Sequence, residues 1–155
     1  MKKLHLTLIA LFLLFAAQAQ TITEKDLLGQ WGIISFTVGG LGIDFETGKV
    51  TLSDEALKKL EGQDIEALKT KMAPALELYR NGTMTFSPGN KMEFVIGDKH
   101  LTNSYVLTTN EGKQYLRDNS TNSVSTVSLT EGLLKINTIK KNAEVIMYLR
   151  KKETL

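Results

Sequence analysis

The sequence predicts an all-β protein, an up-and-down antiparallel β-barrel of about 8 to 10 strands, with a short amphipathic helical insertion between its early strands. Three observations support this fold class. Short segments alternate apolar and polar residues, which is the period of a half-buried strand. Turn residues separate these segments at even spacing, and helical spacing of apolar residues occurs in one region of the chain. Closure into a barrel is expected because it removes the exposed edges of an open meander.

The first predicted strand covers residues 31–38, where Phe36 and Val38 alternate with Thr37. A cluster of glycines at 39–42 ends it. A phosphate-binding loop would need a Lys-Ser or Lys-Thr pair after these glycines, and none follows. We therefore interpret the cluster as a flexible turn that leads into a second strand at 43–52.

The helical insertion is predicted at residues 54–73. Ser53 is a suitable N-cap, Gly62 interrupts the pattern, and Pro74 is expected to end it. The segment is either two short helices or one kinked helix. We expect it to lie against the barrel through an apolar stripe. The stripe consists of Leu57, Leu60, Ile65, Leu68 and Met72.

The remaining chain has the pattern of a strand meander. Asn81 and Gly82 predict a tight hairpin between strands at 76–79 and 84–86, because both residues tolerate positive φ. Further strands are predicted at 91–96, 103–109, 114–117, 123–129, 133–139 and 143–150, each bounded by Gly, Asn, Asp or Lys-Asn turn residues.

The N-terminus predicts a secretory signal peptide over residues 1–19. Two lysines precede an apolar run at 8–17, and Ala17-Gln18-Ala19 places small residues where a signal peptidase cleaves. An uncleaved anchor is the alternative, but the run is about half of the roughly 20 residues that span a bilayer. We expect cleavage after Ala19, a single domain at 20–155, and a periplasmic or extracellular location.

Composition limits the partners of the exported chain. Removal of residues 1–19 takes away Lys2 and Lys3, so 19 basic residues become 17 and balance the 17 acidic ones. A neutral domain lacks the basic surface that nucleic acid requires, and after cleavage no apolar segment long enough for an integral membrane span remains. The oligomeric state is not predicted.

Residues for metal, cofactor or catalytic chemistry are scarce. The chain has no cysteine and, after cleavage, a single histidine, His100, so no His/Cys metal cluster is predicted. Asp44 and Glu46, or Asp98, could supply oxygen ligands for a hard cation, but calcium-loop spacing is absent, so no metal or cofactor is assigned. Asp98 lies two residues before His100 in a predicted turn, and we interpret this pair as a surface feature. Glu77 and Glu93 are expected on the solvent side of their strands. No catalytic residue is assigned.

One sequence pattern resembles a known family. Residues 27–31 read Leu-Leu-Gly-Gln-Trp, a short helical turn followed by Gly-x-Trp at the start of the first strand. Together with segments 76–86 and 125–136, this pattern resembles the lipocalins and the bacterial lipocalin-like domains over residues 27–151. Two features depart from that family. Residues 109–112 lack its Thr-Asp-Tyr motif, and the helix lies between early strands instead of after the last one.

The resemblance implies a structural signature at one end of the barrel. Gly29 and Trp31 would form the Gly-x-Trp, and a basic residue of the last strand would pack across the indole. Arg150 is the expected residue, with Lys151 as the second candidate. A guanidinium stacks well on an indole face, and Trp31 is expected to be buried.

The resemblance also implies a function, an exported protein that binds a small apolar or amphipathic ligand inside the barrel. A filled barrel that serves as an envelope interaction or scaffold module is the alternative, and an enzyme has the least support. The same interior side chains would line a cavity or fill a core. They are Phe36, Phe86, Phe94, Tyr105 and Met147.

Overall fold

A computed structural model describes residues 21–61 and 64–153. The predicted signal peptide and its cleavage site lie outside the described residues. The predicted fold class is confirmed. The described chain is mostly β, and eight antiparallel strands close into a barrel with two additional strands and a few helices.

The described residues form three helices and ten strands. The helices are α1 (Glu24–Leu27), α2 (Asp54–Lys59) and α3 (Ile65–Arg80). The strands are β1 (Gly29–Val38), β2 (Leu41–Asp44), β3 (Val50–Leu52), β4 (Thr83–Ser87), β5 (Lys91–Ile96), β6 (Lys99–Asn110), β7 (Lys113–Asp118), β8 (Val124–Thr130), β9 (Leu133–Lys140) and β10 (Ala143–Lys151).

Strand β1 closes the barrel. Its residues 29–32 pair with β4, its residues 35–38 pair with β2, and its other edge pairs with β10 along most of its length. From β4 to β10 each strand pairs with the next one in sequence, as the meander pattern predicts. Strands β2 and β3 extend the sheet beyond β1. The β1–β10 pairing contains a bulge between Ile33 and Ser35.

The hairpin predicted at Asn81-Gly82 is wrong, and so is the helix end predicted at Pro74. Helix α3 contains Pro74 and continues to Arg80, so residues 76–79 are helical. A proline removes one helical hydrogen bond, whereas the following turns gain packing because Leu76 and Tyr79 contact the barrel core. Gly82 serves a different purpose: a Cβ there would lie 2.8 Å from Ile33 Cδ1.

The strand predicted at 43–52 is two strands. Asp44 Oδ1 accepts hydrogen bonds from the backbone N–H groups of Glu46 and Thr47, at 2.9 and 2.8 Å, and this turn separates β2 from β3. The hydrogen bond from the Thr47 backbone is the main cause that lowers the pKa of Asp44 below its ordinary value. The glycine cluster at 39–42 forms the expected turn at Gly39 and Gly40.

The apolar stripe of the helical segment is confirmed only in part. Leu60 is half-buried, but the side chain of Leu57 is 48% exposed, so Leu57 does not pack as predicted. The side chains of Ile65, Leu68 and Met72 lie outside the described part of the structure. The contacts come instead from Ala56 of α2, which is buried, and from the end of α3, where the ring of Tyr79 stacks on Phe36 with centroids 4.6 Å apart.

One end of the barrel is closed by residues 21–28, which precede β1. The side chain of Gln114 accepts a hydrogen bond from Ile22 N at 2.6 Å and donates one to Ile22 O at 2.9 Å. Glu24 accepts from the backbone N–H groups of Gly89 and Asn90 in the β4–β5 turn. Leu27 is fully buried. We call this the closed end.

Candidate functional site: the open end of the barrel

Strand register shows which side chains face the barrel interior. Directly opposed residues of an antiparallel pair lie on one face of the sheet. Trp31 is 2% exposed and pairs with Met84 on one side and Lys151 on the other, so this face is the interior. The same alternation around the ladder places all five predicted ligand-binding side chains on the interior face.

Two of these five residues belong to the packed core. Phe86 and Tyr105 are 1% and 0% exposed, and their rings meet edge to face with centroids 5.3 Å apart. This geometry is a favourable aromatic arrangement. Tyr105 N also donates to Asn90 O in the β4–β5 turn, which places the pair towards the closed end. These side chains fill the barrel there.

The other three residues lie where the interior is not filled. Phe36 and Met147 are directly opposed on β1 and β10, and Phe94 is opposed to Leu101 on β6. Phe36, Phe94 and Met147 are only partly buried. Leu101 faces the interior by register, yet it is 56% exposed. Solvent therefore reaches interior apolar side chains at this end, which we call the open end.

A cleft of about 370 Å³ lies at the open end between the last turns of α3 and the β5–β6 hairpin. Leu78 closes it from the helix side and contacts the hairpin turn closely: a Cβ on Gly97, whose φ is +54°, would lie 2.9 Å from Leu78 Cδ2. Leu78 is 49% exposed. The cleft is lined by Leu78, Tyr79, Phe94, Ile96, Gly97, Asp98, Lys99 and Leu101.

Sequence reasoning found Phe94 but missed the helical and hairpin residues of this cleft. The sequence pattern predicts a strand at Leu78 and Tyr79, because Pro74 predicts the end of the helix. A signal was present, since Met72, Leu76 and Tyr79 continue the helical spacing past the proline. Leu101 lies outside the predicted strand at 103–109, whereas β6 begins at Lys99.

The interior wall formed by β6 to β9 carries polar side chains. Asn103 Nδ2 donates to Asp118 Oδ2 at 2.7 Å, and the hydroxyls of Ser125 and Thr138 hydrogen-bond to each other. By register these four residues face inward, as do the apolar residues of β1, β5 and β10. These two polar pairs lie among apolar residues of the same strands, since Leu116, Val127 and Ile136 also face inward and are buried.

Tyr105 is an unusual core residue, because its hydroxyl is buried without a hydrogen-bond partner among the described residues. Burial, and to a smaller extent the negative charge of Glu24, raises the pKa of Tyr105 to about 12. The phenol is therefore neutral at physiological pH. A neutral hydroxyl in this position is a polar group that the core has not satisfied.

The structural signature at the closed end involves Lys151 instead of Arg150. Trp31 is buried as expected, and its Nε1 donates to Leu27 O at 2.6 Å. Lys151 pairs with Trp31, and its Nζ lies 5.5 Å from the ring centroid. Arg150 is one residue earlier, so it faces outward and forms an ion pair with Glu46.

Gly29 can adopt the positive backbone φ angle that this packing requires. Its φ is +113°, which disfavours residues with a side chain. A Cβ at this position would lie 3.1 Å from Lys151 Cε, within the space that the lysine stem occupies beside the indole.

The side chains of His100, Glu93 and Glu77 lie at the surface. His100 Nδ1 lies 3.2 Å from Glu93 Oε1, and both side chains are largely exposed. Glu77 lies on α3, where Arg80 pairs with it at the surface.

Within residues 21–61 and 64–153, no group of three or more His, Cys, Asp or Glu residues is arranged to hold a metal ion. None of the described helices is long and apolar enough to cross a membrane.

Comparison with known proteins shows a similarity of fold to a solved structure. No family model matches the sequence, and no curated protein matches it. The structure is similar to the crystal structure of a DUF4847 family protein from Bacteroides vulgatus ATCC 8482, with 10% sequence identity and a TM-score of 0.49. The alignment covers 84% of this chain and 98% of that protein. A likeness at this level carries no argument about function.

Proposed function

We propose that this protein is an exported, lipocalin-like binding protein that holds one small apolar or amphipathic molecule at the open end of its barrel. The observation that carries the proposal is the exposure of interior apolar side chains at that end. Leu101 faces the interior and is 56% exposed, although Phe86 and Tyr105 towards the opposite end are fully buried. A ligand would remove this apolar surface from water.

The lining of the open end supports an amphipathic ligand. Phe36, Phe94 and Met147 offer apolar and aromatic surface there, and Asp98 and Lys99 add polar residues to the lining of the cleft. Binding sites for small molecules commonly combine a mostly apolar lining with a few placed polar groups. The signal-peptide pattern at 1–19 and the resemblance to lipocalins around Trp31 support export and carriage.

Uptake of an anilinonaphthalene sulfonate probe, followed by its fluorescence, tests the proposal. Leu101→Glu places a charge in the cleft at an exposed position, so the fold should persist while probe affinity falls about tenfold or more, which corresponds to roughly 1.4 kcal/mol. Leu57→Glu is the matched control. Leu57 is a comparably exposed leucine that does not line the cleft, and its replacement should leave affinity unchanged.

A second pair of variants separates binding from packing. Phe94→Ala should weaken probe uptake with a modest loss of stability, because Phe94 lies in the cleft and is only partly buried. Phe86→Ala should cost about 3 to 5 kcal/mol of stability, because Phe86 is fully buried. Absence of probe binding by the unaltered protein, or equal binding by the Leu101→Glu variant, contradicts the proposal.

A further inference from the structure

The outer face of the barrel has a groove that the binding proposal does not use. Two concave surfaces, of about 1030 and 430 Å³, are lined mainly by residues of β7, β8 and β9. Thr126 and Asn137 line both of them, so the two surfaces join into one groove, which we call the β8 groove. These two residues face outward, because Val127 and Ile136 beside them are buried in the interior. The β8 groove shares no lining residue with the cleft at the open end.

The groove forms because short residues on β8 lie between longer residues on the two neighbouring strands. Thr126 lies between Tyr115 of β7 and Asn137 of β9, and Ser128 is opposed to Lys135 of β9. Strands β7 and β9 are two strand spacings apart, about 10 Å, and β8 is about 20 Å long. The groove runs along β8, so the curvature of the barrel around its axis does not interrupt it. Its shape fits one extended chain.

The lining is rich in uncharged side chains that both donate and accept hydrogen bonds. Its charged residues balance, because Lys113 and Lys135 are matched by Glu131 and Glu144. A balanced lining does not favour a polyanion or a polycation. The hydroxyl and amide residues of the groove include Thr126, Ser128, Thr130, Asn137 and Asn142.

Asn137 has a hydrogen-bond acceptor that the protein does not satisfy. Its Nδ2 donates to Glu144 Oε1 at 2.7 Å, which fixes the orientation of the amide, since the reversed amide would place two acceptors together. The Oδ1 atom of Asn137 is buried and has no donor among the described residues. Buried acceptors normally pair with the protein, with water or with a bound molecule. A ligand hydroxyl that enters the groove beside Asn137 is the donor that this atom lacks.

The part of the groove nearest the open end adds apolar surface. Ile139 is 76% exposed and Val124 is 52% exposed, and both line the groove together with Tyr115. A ligand with apolar faces would remove this surface from water. The groove therefore suits a molecule that has hydroxyl groups at its edges and C–H groups on its faces.

We propose that the β8 groove binds an extended, uncharged oligosaccharide. A sugar chain has hydroxyls that donate and accept, C–H faces that pack on apolar side chains, and no charge, so it matches each property of the lining. An extended peptide fits less well, because peptides add to sheet edges with free backbone groups, whereas β8 already pairs with β7 and β9. Nucleic acid fits less well because the charges of the lining balance.

Isothermal titration calorimetry with cellohexaose, mannohexaose, xylohexaose and N-acetylchitohexaose tests the proposal. At least one of these uncharged chains should bind one-to-one with a Kd of about 1 mM or lower. Hexagalacturonate, a chain of the same length with a negative charge on every unit, should bind more weakly. Absence of binding by all the uncharged chains at about 10 mM, or tighter binding of hexagalacturonate than of any of them, overturns the proposal.

Variants in the groove locate the site. Ser128→Phe should fill the groove and abolish saccharide binding without unfolding the protein, because Ser128 is exposed. Thr102→Phe is the matched control, a change at an exposed hydroxyl residue on the outer face of β6, and should leave the affinity unchanged. Tyr115→Ala should lower the affinity about tenfold. Saccharide binding by Ser128→Phe that equals that of the unaltered protein would place the ligand elsewhere and refute the site.

The two sites can be told apart by exchanging variants and ligands. The Ser128→Phe variant should take up the anilinonaphthalene sulfonate probe like the unaltered protein, and Leu101→Glu should keep its affinity for the saccharide. Both expectations follow because the groove and the cleft share no lining residue. Loss of saccharide binding in the Leu101→Glu variant would assign the saccharide to the open end and exclude the β8 groove.

Discussion

At the residue scale, the contact between Trp31 and Lys151 shows how strand parity selects one of two adjacent basic residues. Neighbouring residues of a strand point to opposite faces, so Lys151 and Arg150 cannot both meet the indole. The resemblance to the lipocalins implies a basic residue at this position, with Arg150 as the expected one and Lys151 as the second candidate. The choice of Arg150 is wrong, because the β1–β10 register places Lys151 opposite Trp31. A bulge between Ile33 and Ser35 shifts this register farther along the strands.

Replacement of Trp31 and its neighbours gives the first prediction. Trp31→Ala should cost about 3 to 5 kcal/mol of unfolding free energy, because the ring is fully buried. Lys151→Ala should cost about 0.5 to 1 kcal/mol and change the tryptophan emission. Arg150→Ala, the matched control, should leave the emission unchanged, since Arg150 faces outward. Emission spectra and urea midpoints measure both effects, and equal spectral changes in the two variants would refute the assignment.

Tyr105 gives a second prediction at this scale. Its hydroxyl is buried and has no partner among the described residues, so Tyr105→Phe removes an unsatisfied polar group without removing the ring. We expect stability to be unchanged or to rise by up to about 1 kcal/mol. A thermal or urea unfolding curve checks this. A loss of more than about 1 kcal/mol would show that the hydroxyl is hydrogen-bonded in the folded protein.

At the element scale, the stability that residues 21–28 give to the closed end of the barrel should depend on pH. Thr23 donates to Asp26 Oδ2 through its backbone N–H at 2.8 Å and through its hydroxyl at 2.6 Å. The hydroxyl hydrogen bond is the main cause that lowers the pKa of Asp26 below its ordinary value of 3.8. A lowered folded pKa means that the carboxylate stabilises the fold above pH 3.8 and loses this effect as pH falls through the folded value.

Asp26→Asn should therefore lower the urea midpoint at neutral pH, and the difference from the unaltered protein should shrink as pH falls below 3.8. Proton exchange at the backbone N–H of Thr23 should be faster in the variant at neutral pH, because it loses the carboxylate acceptor. A difference between the two proteins that is the same at neutral and acid pH would exclude this role of the ionised carboxylate.

Helix α3 shows where local sequence signals fail. Pro74 predicts a helix end and the pair Asn81-Gly82 predicts a hairpin, and both predictions are wrong. The helix continues because packing of Leu76 and Tyr79 against the barrel outweighs one missing hydrogen bond. Packing of this kind depends on residues distant in sequence, such as Phe36 in β1.

At the scale of the whole molecule, the number and order of the strands from β5 to β10 could be predicted. The strand predicted at 91–96 matches β5, and the later strands agree within about one residue at each end, except that β6 begins at Lys99 and not at residue 103. Alternation and turn residues are local properties, which explains this success. The same alternation predicts that Phe36, Phe94 and Met147 face the interior. It does not predict which part of the interior is packed and which part is exposed, because this depends on α3 and on residues 21–28.

The proposed function requires an apolar binding site at one end of the barrel, and native mass spectrometry tests this most directly. The purified protein, incubated with an anilinonaphthalene sulfonate probe, should show one bound molecule per chain, and the added mass should disappear on denaturation. The Leu101→Glu variant should show little bound probe, whereas the Leu57→Glu variant should bind like the unaltered protein. If the unaltered protein shows only the mass of the chain, both with and without the probe, the proposed binding site is contradicted.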